Sequence, residues 1–315
     1  ETLGWPDVSQ GDYSPEVRGV AEGASIGINV LSTEQDGLAR RFADMDWTIL
    51  TPDERAGVPH HLLDVLEVTE EASVSAYQRD AREAIAAIRS RRRTPILVGG
   101  SGLYVRAVLD DIEFPPTDAA LRERLEQRIA QEGTEALHRE LAASDPEAAG
   151  IIGPRDARRI VRALEVGTLT GRPFTAFLPR PLYADASTVQ IGLRRDRALL
   201  HERIAVRVDR MIEGGLLEEI RALREQGLDR GLTARRAIGY EQGLAVLDGA
   251  LDCAQAIQDT VTGTRRLVRK QDTWFRRDAR VHWLDADEDA DGTPLLTRAL
   301  AVLEAQDTAA DGSRP

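Results

Sequence analysis

The chain of 315 residues, 42% of them apolar and 30% charged, has the composition of a globular protein able to bury a core, which excludes disordered, collagen-like and coiled-coil classes. Its single cysteine, Cys253, excludes an internal disulfide framework and reads as a small buried apolar residue of a reducing compartment. A net charge of −12 argues against a nonspecific nucleic-acid coat, and because Lys270 is the only lysine, any phosphate contact must rest on arginine, which suits bidentate geometry.

No run approaches a membrane span and no basic-then-apolar leader opens the chain, so a cytoplasmic protein is expected, with no membrane partner. Residues 1–49 offer one short apolar run, Ile26–Leu31, as a candidate strand. A helix capped by Ser73 or Ser75 runs to about Arg92, with Ala81, Ile85 and Ile88 in its apolar stripe. Thr94–Tyr104 then reads as a short buried strand, a glycine turn and a helix start, the rhythm of an α/β parallel sheet.

Between Phe114-Pro-Pro-Thr117 and Pro179-Arg-Pro181 the pattern is helical, over 118–131, 134–143 and 156–170. The flanking prolines mark an inserted helical unit. Val189–Leu193 reads as a strand returning to the sheet. Helices follow near 196–213, 215–226, 233–248 and 253–278, then a strand at Val281–Leu284 and a frayed polar tail over 306–315. The expected organisation is therefore a first core part over 1–114, with 1–49 atypical, an inserted helical unit over 115–181, a second core part with C-terminal helices over 182–305, and a flexible tail.

Three arginine clusters stand out. Arg155, Arg158, Arg159 and Arg162 fall at i, i+3, i+4 and i+7, one helix face. Alone, this pattern also fits a solvated face with local pairs to Asp156 and Glu165. Arg203, Arg207 and Arg210 share a helix whose other side carries Ile204, Val208 and Met211. Over 264–280, seven cations face two acids, a local +5, with Trp274 and Phe275 interleaved either as stacking platforms or as core aromatics. Such segregation of charge points to a focused polyanion site for RNA, diphosphate or both.

In order, His60-His-Leu-Leu-Asp64, Leu97-Val-Gly-Gly-Ser-Gly-Leu-Tyr104, Arg158-Arg-Ile-Val-Arg-Ala-Leu-Glu165, Arg236-Ala-Ile-Gly-Tyr240 and Arg269-Lys-Gln-Asp-Thr-Trp-Phe-Arg276 resemble the tRNA dimethylallyltransferase family, in an arginine-rich, actinobacterial style. The resemblance covers about residues 50–284. It implies a P-loop-type parallel sheet flanked by helices, with an inserted all-helical domain that grips the anticodon stem-loop and a helical C-terminal part. The implied reaction moves a dimethylallyl group from dimethylallyl diphosphate to the exocyclic amine of the adenosine 3′ of the anticodon and releases diphosphate, with Mg²⁺ as cofactor and a monomer as the expected state. By position in the motifs, Arg207 matches the diphosphate-binding catalytic arginine. Gly99, Gly100 and Ser101 match the substrate tunnel. Arg158, Arg159, Arg162, Arg236, Gly239, Tyr240, Arg265, Arg266, Arg269, Lys270, Gln271 and Trp274 match tRNA-contacting positions.

The family pattern breaks at the front. No Walker lysine and no Asp-Ser pair carrying the general base occur in the chain, and Gly23–Gly27 bears only a faint likeness to the phosphate loop. The match resumes at Thr51, so the expectation is diverged or corrupted sequence before it. Two other readings compete: a tRNA-binding relative without transfer activity, and a nucleotide or small-molecule kinase on a similar sheet.

Overall fold

The computed structural model describes residues 29–33, 59–63, 65–177, 182–286 and 294–311, with the backbone path alone for 29–33 and 306–311. Two compact units emerge: one from residues up to Leu109 together with those from Asp185 onward, the other from Asp110–Ala184.

The first unit begins with strands β1 (Asn29–Thr33) and β2 (His60–His61), helix α1 (Val74–Ser90), strand β3 (Thr94–Val98) and helix α2 (Gly102–Leu109). Ser73 caps α1 through its hydroxyl, as its residue type predicts. Ala81 and Ile88 of α1 pack on Val108 of α2 beside Leu97 of β3, which fixes the strand against both helices. β1 pairs antiparallel with β2 and with β3, from Asn29 opposite Val98 to Thr33 opposite Thr94. The strand expected at 26–31 therefore lies slightly later, and its ladder is antiparallel, a pairing that needs no covering crossover helix.

After the second unit the chain forms β4 (Gln190–Arg194). Helices α7 (Arg197–Glu213), α8 (Leu216–Glu225), α9 (Tyr240–Leu247) and α10 (Cys253–Phe275) follow, then β5 (Val281–Asp285) and α11 (Leu295–Asp311). β4 and β5 pair in parallel, from Gln190 opposite Val281 to Arg194 opposite Asp285. Among the described residues β4 pairs with β5 alone and does not join the β1–β3 sheet, a correction to the expected return strand: its ladder partner is the late strand after the helices. The α/β class with a parallel pair and flanking helices stands.

The expected helix over 233–248 is shorter. Two 3-10 turns, Leu228–Arg230 and Ala234–Arg236, precede α9, because buried Leu228, Ala234 and Ala237 draw the chain into the core beneath α8. The expected tail is also corrected, since α11 runs to Asp311. Cys253 is exposed, not buried: it is the first residue of α10 after the Asp252 cap, where the helix has not yet turned its face inward.

The second unit holds helices α3 (Ala119–Glu132), α4 (Thr134–Ser144), α5 (Pro146–Ile151) and α6 (Ala157–Thr170), packed around Leu125, Leu137, Leu141, Ile152, Ile160 and Leu164. Asp118, Asp145 and Asp156 cap α3, α5 and α6. A bridge between Asp110 and Tyr183 closes the ends of the unit on each other. Helix α5, absent from the expected elements, has too few residues for a periodic signal, and only Asp145 followed by Pro146 announces it.

Candidate active site

The Gly99–Gly102 turn joins the C-terminal end of β3 to the first turn of α2, where the Ser101 carbonyl accepts the Val105 N–H at 2.9 Å. The open N–H groups of that helix end face the turn and give it positive polarity. Gly99 is exposed, Gly100 and Ser101 half-buried. Tyr104, one turn further, packs edge-on against Tyr77 with ring centroids 5.3 Å apart, and burial raises its phenol above the ordinary tyrosine range.

Helix α10 lies on this turn. Gln271 sits against Gly100 and the Trp274 indole against Gly102, while Phe275 joins the cluster around Tyr104 and Val105. The structure thus brings together two groups of residues that the sequence separates by about 170 positions: the expected tunnel residues and the expected RNA-contacting helix. Phe275 takes the core role. Trp274 remains 42% exposed.

The cations of α10 divide into two groups. The side chains of Arg266, Arg269 and Lys270 are exposed and, among the described residues, make no hydrogen bond or ion pair. Arg265 instead is half-buried and donates to the His201 carbonyl of α7 at 3.3 Å, so it ties two helices together. The same pair of helices is closed by Ile204, Val208 and Val261, and by an ion pair from Arg197 to Asp272 at 3.1 Å. Past the helix, Arg280 holds the Asp278 carboxyl below the usual carboxylate range through hydrogen bonds.

On α7 the apolar side carries Ile204 and Val208, and Arg203, Arg207 and Arg210 are exposed on the other. Among the described residues Arg203 and Arg207 have no partner, and the guanidinium geometry of each suits bidentate contact with a phosphate.

Several of the residues expected to contact RNA are engaged within the protein. Tyr240 is 1% exposed, and its hydroxyl donates to Glu219 Oε1 at 2.5 Å. Gly239 is buried beside it with a φ of 101°, a backbone that favours glycine, and its N–H donates to Gln242 Oε1 at 2.8 Å. Of that motif, Arg236 alone offers an unpartnered surface cation. In the helical unit, Arg158 is exposed and unpartnered, and exposed Arg159 lies 3.5 Å from Asp156. Arg162 turns inward: it donates to Glu165 at 2.7 Å and to the carbonyls of Pro115 and Pro116 at 2.8 and 2.9 Å.

Glu165 is fully buried, which works against its ionisation, but the Asp118 N–H and the guanidiniums of Arg162 and Arg122 outweigh that cost and hold its carboxyl below the usual range. His61, half-buried, is pushed the other way for a base, its pKa lowered by burial and by Arg91. Asp64 and Gly23–Gly27 lie outside the described residues.

Comparison with known proteins identifies the family. The IPP transferase family model matches residues 48–278. A tRNA dimethylallyltransferase of Kocuria rhizophila is 56% identical over 266 residues, covering 84% of each chain. That of Streptomyces coelicolor is 53% identical over 293 residues, covering 92% of each. Among solved structures, the full-length tRNA isopentenylpyrophosphate transferase of Bacillus halodurans superposes with a TM-score of 0.56 at 36% identity, over 83% of this chain and 84% of that one. A eukaryotic dimethylallyltransferase acting on tRNA gives 0.68 at 25% identity, over 84% and 68%. With the motif order, the cationic helix on the glycine turn and these matches in hand, the chain belongs to the IPP transferase family.

Proposed function

We propose that the protein transfers a dimethylallyl group from dimethylallyl diphosphate to the exocyclic amine of the adenosine 3′ of a tRNA anticodon. The observation that carries this reading is the seating of the cation-bearing helix α10 on the Gly99–Gly102 turn, in a chain of this family. The amine nitrogen attacks the carbon bound to the diphosphate. The carbon–oxygen bond breaks, diphosphate leaves with the electron pair, and the amine gives up a proton.

Negative charge grows on the diphosphate oxygens as that bond breaks, so fixed cations aimed at them lower the barrier. Arg207, exposed and unpartnered on α7, is the residue assigned to this task. Arg266, Arg269 and Lys270 supply phosphate contacts to the RNA backbone, with Arg236, Arg158 and Arg159 as further contacts. The adenosine must leave its stack to be reached, a cost offset by such contacts.

Among the described residues no group of three His, Cys, Asp or Glu side chains gathers to hold a metal. Magnesium carried on the diphosphate would neutralise charge on the leaving group. No described helix is long and apolar enough to cross a membrane. The proposed setting is the cytoplasm, with the protein acting as a monomer.

The test is incubation of the full chain with radiolabelled dimethylallyl diphosphate and a tRNA carrying adenosine 3′ of its anticodon. Label in that nucleoside, with one diphosphate released per transfer, is expected. RNA binding without label transfer overturns the assignment of activity.

A further inference from the structure

The two glycines that flank Ser101 are small for reasons of space. Neither Gly100 nor Gly102 has the left-handed backbone that would itself demand glycine. A β-carbon on Gly102 would overlap the Trp274 indole at Cδ1, Nε1 and Cγ, and one on Gly100 would collide with the Gln271 amide nitrogen, its Cδ lying 3.1 Å away. Each glycine is thus a socket, and each socket is filled by α10.

Gln271 and Trp274 are three residues apart, which puts them on one face of the helix one turn from each other. Gly100 and Gly102 are two apart, on either side of Ser101. Two contacts at different heights fix both the position and the rotation of α10 relative to the turn. Phe275 extends the contact to Tyr104 and Val105 of α2. Just before Gln271 on the same helix, Arg266, Arg269 and Lys270 present to solvent cations that have no partner among the described residues. The stretch that would receive RNA phosphates is therefore mechanically joined to the turn that carries Ser101.

Resting on the functional reading above, we infer that Gln271 and Trp274 are positioning residues, which couple RNA bound on α10 to the geometry of the Gly99–Gly102 turn. Their energetic contribution is to the placement of Ser101 and the first turn of α2. The neighbouring cations meet the RNA phosphates.

The experiment follows amide hydrogen exchange of residues 99–104 in the full chain, with and without an anticodon stem-loop RNA. RNA is expected to slow exchange there about tenfold, within the ordinary range of coupling between sites. In the Gln271→Ala, Trp274→Ala double variant, at RNA concentrations that saturate it, that slowing should disappear and kcat should fall about tenfold. Trp274→Phe, which retains a ring over Gly102, should restore the slowing. Gly102→Ala should loosen the turn by itself, and adding Trp274→Ala should recover part of the loss, because the new β-carbon enters vacated space.

Slowing that persists in the double variant overturns the coupling and leaves the functional reading intact. Should the original chain bind no RNA, the functional reading fails, and exchange without RNA decides the seating: turn amides unchanged by Trp274→Ala overturn it, and faster exchange supports it.

Discussion

Arg162 meets Glu165 at 2.7 Å within one turn of α6, and the same guanidinium reaches back to the carbonyls of Pro115 and Pro116. A residue on a basic helix face is thereby the latch that holds the lead-in segment of the helical unit onto its last long helix. The buried carboxylate also accepts the Asp118 N–H at 2.8 Å and Arg122 at 3.1 Å, so the pair closes a network between α3 and α6.

Replacing that carboxylate is expected to cost stability. Glu165→Gln keeps the shape, but removes the charge from a site with two guanidiniums and should lower unfolding stability by about 2 kcal/mol, as for loss of charge-assisted hydrogen bonds. The effect depends on pH in a fixed direction. The carboxyl of Glu165 is held low in the folded state, so its stabilisation is complete above the ordinary glutamate range and is lost as pH falls through the folded value. Urea titrations from pH 7 to pH 3 should show the margin of the original chain over Glu165→Gln shrinking toward zero in acid. A margin that grows in acid contradicts the network as drawn.

Tyr240 gives a second separation of roles. Its ring is buried with Leu216, Ile220, Leu223 and Leu228, and its hydroxyl binds Glu219. Tyr240→Phe should cost about 1 kcal/mol of stability and leave RNA affinity unchanged, because a core hydroxyl removed with its ring intact loses one hydrogen bond. Chemical denaturation and filter binding on the same preparation check both halves.

How far the sequence reveals this protein depends on the range of the signal. The apolar run of β3 followed by Gly99–Gly102 announces strand, turn and helix within ten residues, and the structure agrees. The arginine spacing of α6, α7 and α10 was equally legible as helix faces. Partners far along the chain were not: nothing near Arg162 shows that Pro115 and Pro116 will occupy it, and the spacing alone cannot tell a solvent-facing arginine from an inward one. Tyr240 shows the same limit, since an aromatic beside a glycine reads alike in a surface motif and in a core. Gln271 and Trp274 stood out in the motif, but their sockets lie across the fold, where only close approach identifies them.

The division among the α10 cations leads to a binding prediction. Arg269→Ala with Lys270→Ala removes two side chains that have no partner among the described residues and should weaken RNA binding, lowering the slope of log affinity against log salt by about 1 to 2. Arg265→Ala, which removes a link to the His201 carbonyl, should chiefly reduce stability. Equal effects of both changes on the salt slope would show that the helix meets RNA by a different face.

Arg207 is the point where charge and catalysis meet in the proposal. It shares with Arg203 an exposed, unpartnered guanidinium on α7, and both project from a helix anchored by Ile204 and Val208 against Val261 of α10. Because contact with the diphosphate strengthens as negative charge develops on it, Arg207→Ala should reduce kcat about 100-fold or more while changing tRNA affinity less than threefold, the pattern of an interaction made mainly in the transition state. Arg203→Ala is the internal comparison: the same charge is removed four residues away on the same helix, and turnover should change far less. Single-turnover transfer of the labelled dimethylallyl group, with tRNA binding measured in parallel, separates the two quantities. If Arg207→Ala retains full turnover, or loses RNA affinity in proportion to its rate, the guanidinium belongs to the RNA-facing surface and the diphosphate must be met by another cation.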